Sequence, residues 1–116
     1  KVPMDAFFYE PFSQIMRLGL LADKMVRDRE FGVSDAKVVV VCPEENLDYR
    51  QIITAPALRE RFPDATTVEA SVKRCLRNPD SFVMISPEAL VQAIREQGEG
   101  ESVADWLDYQ HERYGY

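Results

Sequence analysis

Four consecutive valines, Val38–Val41, followed by Cys42 and Pro43, constrain this chain more than any other stretch. A strand that borders solvent on one face alternates apolar and polar side chains, and this one does not alternate. The pattern predicts a strand covered on both faces, as in the interior of an α/β sheet. One strand cannot satisfy its own backbone. The only other strand-like run is the short SFVMI at residues 81–85. The valine strand's remaining neighbours are therefore expected from an upstream segment or from another copy of the chain.

A helix is predicted ahead of that strand. From Phe12, the residues Ile15, Met16, Gly19, Ala22 and Val26 make one apolar stripe, and Leu18, Leu21 and Met25 make a second beside it. Two stripes predict cover on more than one side. Gly19 lowers helix propensity by about 1 kcal/mol relative to alanine, which predicts close packing against a neighbouring backbone. After the strand, Glu44, Glu45, Asn46 and Asp48 form a polar loop at its carboxyl end, the usual ligand position in α/β sheets. The run QIIT at residues 51–54 can extend briefly before Pro56. Thr66 and Glu69 have capping-box spacing and open a helix reaching about Arg77. Ser86-Pro87-Glu88 combines a cap, a proline at the first helical position and an early acid, a strong helix start. The body is thus expected over residues 1–97, a Gly/Glu linker over 98–101, and a docking helix over 102–116. That last helix carries Trp106, Tyr109 and Tyr114 along an apolar edge, which calls for cover by the body or a partner.

The fold class is a helix-rich α/β arrangement with a few-stranded sheet, one central buried strand and flanking helices. At 116 residues and 46% hydrophobic, the chain can bury a core without metals or disulfides. Its net charge of −6 disfavours nucleic-acid binding by charge alone. No run nears the roughly 20 apolar residues of a membrane span, and no leader pattern opens the chain, so a cytoplasmic protein is expected. Cys42 and Cys75 both lie among apolar residues and read as free thiols.

Candidate chemistry is sparse. Pro63-Asp64 and Pro79-Asp80 each resemble the start of a metal-dependent nuclease motif, but no Glu-x-Lys or Asp-x-Lys triplet occurs, so both read as turn punctuation. Asp105, Asp108, His111 and Glu112 cluster within two helical turns, and Asp108 and His111 have a spacing used by helical metal sites. Such residues are also what the wet face of a terminal helix requires, and that reading is preferred. Lys73, Arg74 and Arg77 share a helix and could meet a phosphate backbone. Gln14 and Arg17 are polar residues in an apolar helix, either at its edge or facing a cleft.

The segment PFSQIMRLGLLADKM, then VVVVCPEEN, then Asn78-Pro79-Asp80, Ile85-Ser86-Pro87-Glu88 and a closing Trp106 with Arg113-Tyr114-Gly115, resembles the C-terminal half of restriction-endonuclease-like proteins of the PD-(D/E)XK superfamily. The resemblance implies that the Pro11 helix follows the catalytic strands and that the valine run is the next core strand. It places Gln14 near the active site with Arg17 beside it, and it implies a Mg²⁺-dependent DNA phosphodiesterase in the complete form. The metal-binding acid and Glu-x-Lys triplet of that superfamily lie upstream of this helix, so no catalytic residue or metal ligand is assigned to this chain. The alternative is a catalytically silent interaction or regulatory module, binding a protein partner or its own copy through residues 7–9 and the Trp106 edge.

Overall fold

The computed structural model describes residues 2–51, 53, 55–97 and 101–115. A 3-10 turn at Met4–Phe8 leads through a cis Glu10–Pro11 peptide into α1, Phe12–Asp28. Ser13 Oγ donates to the Glu10 carboxylate at its start. Arg29 ends the helix in the left-handed region at φ 53°, its N–H donating to the carbonyls of Met25 and Val26. Beyond a loop comes β1, Val38–Val41, then the short helices α2, Leu47–Arg50, and α3, Pro56–Arg61. Next are α4, Val68–Cys75; β2, Phe82–Ile85; α5, Pro87–Gln97; and α6, Glu101–Tyr114. The helix-rich, few-stranded α/β expectation is met.

β1 and β2 pair in parallel, Val38 opposite Phe82 and Val41 opposite Ile85, in a two-stranded sheet. Side chains opposite each other in a parallel register share a face. Val38, Val40, Phe82 and Met84 therefore look one way, into the core with Phe12, Ile15, Leu58, Val68 and Val72. Val39, Val41, Val83 and Ile85 look the other way.

Here the expectation of a central strand covered on both faces is corrected. Val39 and Val41 are 48% and 46% exposed, and among the described residues β2 is the one strand neighbour of β1. The physical reason is that the chain lays its core against a single side of the sheet. The second stripe of α1 is corrected likewise: Leu18 and Leu21 are exposed and only Met25 is half-buried. Gly19 is not a close-approach site either, since a Cβ there would meet nothing within 4 Å.

Local chemistry explains the other helix boundaries. Thr67, not Thr66, caps α4, its hydroxyl accepting from Ala70 N–H at 3.1 Å. Glu69 does not reach back to close a capping box. Its carboxylate accepts instead from Met84 N–H at 3.3 Å and pairs with Lys73 at 2.8 Å. α4 stops at Cys75 rather than Arg77, because Leu76 turns extended at φ −85°, ψ 146°. Ser86 Oγ accepts from Ala89 N–H at 3.1 Å and starts α5 as its sequence predicts. Of the expected 98–101 joint, residues 98–100 fall outside the described residues, as do Ile52 and Thr54 of the QIIT run. α6 lies against α5, with Trp106, Tyr109 and Tyr114 still exposed.

The whole is flat and open. Its extents are 49 × 37 × 19 Å and its radius of gyration is 16.7 Å, against about 13 Å for a compact domain of this length. Its accessible surface is 8404 Å², where a folded 13.3 kDa monomer shows about 6,450 Å². Roughly 2,000 Å² of extra surface is the area by which this chain fails to close on itself.

Candidate functional site

Part of that open surface lies between α1 and the sheet. An apolar groove of about 590 Å³ runs there. Phe12, Ile15 and Met16 of α1 line one side, Val72 and Cys75 of α4 the other, and Phe82 lies between them, at the start of β2. Gly19 borders it, and the absence of a side chain there widens the trough. Leu20, 62% exposed, stands on the rim with the charged Asp23, Asp35 and Arg77. The i, i+3, i+4 spacing of α1 that reads as a core stripe is thus only half used, its N-terminal turns buried and its middle overhanging the groove. Burial pushes the Cys75 thiol above its ordinary pKa, so it faces the groove as an inert apolar group.

The carboxyl end of β1 is occupied by the chain itself. Arg50 donates through Nε to Pro43 O at 2.8 Å and through its terminal nitrogen to Cys42 O. Asn46 caps α2 by accepting from Tyr49 N–H at 3.2 Å. A hollow of about 240 Å³ remains, lined by Val40, Val41, Cys42, Pro43, Asn46 and Tyr49. Burial, and then the charges of Cys42 and Glu10, raise the Tyr49 phenol above its ordinary value. It is a neutral hydrogen-bonding group at physiological pH.

The residues singled out in the sequence do not converge. Gln14 and Arg17 are exposed on α1, and neither lines the groove. Lys73 is held by Glu69, Arg74 lies over the Phe62 ring at 5.6 Å, and Arg77 sits on the groove rim. The three cations thus do not form one patch. Asp105, Asp108, His111 and Glu112 are exposed on α6. Among the described residues, no three His, Cys, Asp or Glu side chains lie close enough together to hold a metal ion. Cys42 and Cys75 are free thiols. The groove itself is not legible in the sequence. The one signal that points to open surface is the surplus of apolar stripes over what 116 residues can cover.

An open apolar trough presents side chains that another apolar surface would cover. The comparison with known families bears on that. The family described as restriction endonuclease associating with ARP matches residues 4–115. The chain belongs to that family. No curated protein and no solved structure matches it. The match to REase-ARP spans α1 through α6, so the groove and the sheet lie wholly within the family's domain. No helix among the described residues is long and apolar enough to cross a membrane.

Proposed function

We propose that this REase-ARP domain is the associating unit of a restriction-endonuclease system of the PD-(D/E)XK type, corresponding to the C-terminal half of that fold. Its groove receives an apolar segment of a protein partner. The observation that carries the reading is the open groove of about 590 Å³ within a chain matched over residues 4–115 to a family described by association. A groove lined by Phe12, Ile15, Met16, Val72 and Phe82, with charge only on its rim, suits one face of an amphipathic helix. The complete assembly is a Mg²⁺-dependent DNA phosphodiesterase. The described residues do not fit the metal, because they bring no three ligand side chains together, and no step of cleavage is assigned to them. In the assembly, Arg77 on the rim, with Gln14 and Arg17 on the exposed face of α1, is available to steer DNA toward the cleaving subunit.

The test is a titration of the chain with the ARP protein of the same genome, followed by calorimetry. Leu20→Glu places a charge on the apolar rim and is expected to weaken binding more than about tenfold, since burying an unpaired carboxylate costs well over 1.4 kcal/mol. No binding by the unaltered chain, or equal binding by Leu20→Glu, refutes the assignment. Supercoiled-plasmid cleavage by the chain alone in Mg²⁺, abolished by chelation, would overturn the division of labour proposed here.

A further inference from the structure

The parallel ladder fixes which backbone groups of the sheet face outward. Cys42 N–H donates to Ile85 O at 2.9 Å, and Val41 stands opposite Ile85. Val38, Val40 and Cys42 therefore turn their polar groups toward β2, and Val39 and Val41 turn theirs away. On β2 the outward residues are Phe82 and Met84. Both of their N–H groups are taken, Phe82's by Pro79 O and Met84's by the Glu69 carboxylate. The β2 edge is closed by the chain's own groups. The β1 edge is not: among the described residues nothing pairs with the outward backbone of Val39 or Val41. Natural edges are guarded by proline, charge or a bulge, and the four residues of β1 carry none of these.

We propose that this edge is the seam of a homodimer, in which β1 pairs antiparallel with β1 of a second copy and joins two small sheets into one of four strands. The occupant is a second copy because the edge complements itself. A twofold axis through Val40 sets Val39 opposite Val41 of the second copy, and each such pair exchanges N–H and C=O in both directions. Val39, Val40 and Val41 then each meet a β-branched valine across the strands, Val38 meets Cys42, and no charge within the four residues faces a like charge. Pro43, lacking an N–H, limits the pairing at one end. The area agrees. A stable interface of ordinary size takes about 800 Å² from each partner, well within the roughly 2,000 Å² by which this chain exceeds a closed monomer. The seam uses the sheet edge and the Val39 side of the sheet and shares only Val38 with the groove, and its readout, the mass of the chain alone, is separate from that of partner docking.

Sedimentation equilibrium of the full chain over a range of concentrations tests it. The unaltered chain is expected to approach twice its 13.3 kDa mass. Val41→Pro removes an outward N–H that β2 does not use, and Val39→Lys adds the charge the edge lacks. Both are expected to sediment as monomers with an unchanged far-ultraviolet circular dichroism spectrum, while Val39→Thr, which keeps the branched shape and the backbone, stays dimeric. If the proline variant loses its spectrum, the lysine variant decides. A chain that is monomeric at every concentration, or a dimer that persists in the folded edge variants, overturns the proposal.

Discussion

Glu69 offers the sharpest probe of how the sheet is held, because one carboxylate spans two elements. It accepts from Met84 N–H at 3.3 Å and from Lys73 Nζ at 2.8 Å, with its own side chain 28% exposed and that of Lys73 36% exposed. A hydrogen bond to a charged acceptor contributes about 1.5–3 kcal/mol, and the 3.3 Å length puts this one near 1.5. The partly exposed ion pair adds about 0.5 kcal/mol. Glu69→Ala is therefore expected to destabilise by about 2 kcal/mol, since Met84 is 7% exposed and water cannot fully replace the lost acceptor. Glu69→Gln keeps an acceptor oxygen and should lose about 1 kcal/mol, and Lys73→Met, which removes only the pair, about 0.5. Urea unfolding at a single protein concentration reads the series, with Glu69→Ala lowering the midpoint by about 1 M for a slope near 2 kcal/mol/M. Glu69→Ala should also self-associate beyond the parent state, because it uncovers a second edge. An alanine variant within about 0.5 kcal/mol of the parent, or a glutamine variant as damaging as alanine, refutes the view that this carboxylate closes β2.

Other consequences are open to measurement. Arg29 holds a left-handed conformation at φ 53° with its N–H already bonded to α1 carbonyls. Arg29→Gly should thus raise thermal stability by about 1 kcal/mol, and a lowered melting temperature would show that the arginine side chain contributes more than its backbone costs. The Tyr49 phenol is raised by burial first, so the folded state retains its proton more tightly than the unfolded chain. Its contribution is fully present below the ordinary phenol pKa and is lost as pH rises beyond it. Melting temperatures should fall as pH rises above about 10, and Tyr49→Phe should flatten that slope.

Elements governed by neighbouring residues are legible in the sequence, and those governed by distant ones are not. Ser86-Pro87-Glu88 starts α5 because cap, ring and early acid all act within one turn. Thr66 and Thr67 differ by one position, and the hydroxyl that caps is chosen by where Ala70 N–H points. Glu69 answers to Met84, fifteen residues away, so its spacing from a threonine misleads. The valines state that both faces of β1 are apolar, which is true. They cannot state that this chain covers only one of them, because periodicity records what a surface is made of and not who lies on it. Gly19 misleads for the same reason, its missing side chain shaping a trough rather than a contact. The basic trio reads as a patch in one dimension, and Glu69, Phe62 and the groove pull its members apart in three.

The 19 Å thickness has its own corollary. Packed layers of secondary structure are spaced by about 10 Å, so the slab holds two of them, where a sheet apolar on both sides is built for three. On the face formed by Val39, Val41, Val83 and Ile85, the β2 residues are half-buried and the two β1 valines are left exposed. Polar substitutions at Val39 and Val41 will cost the folding of an isolated chain little, and their damage will surface when the assembly has to form.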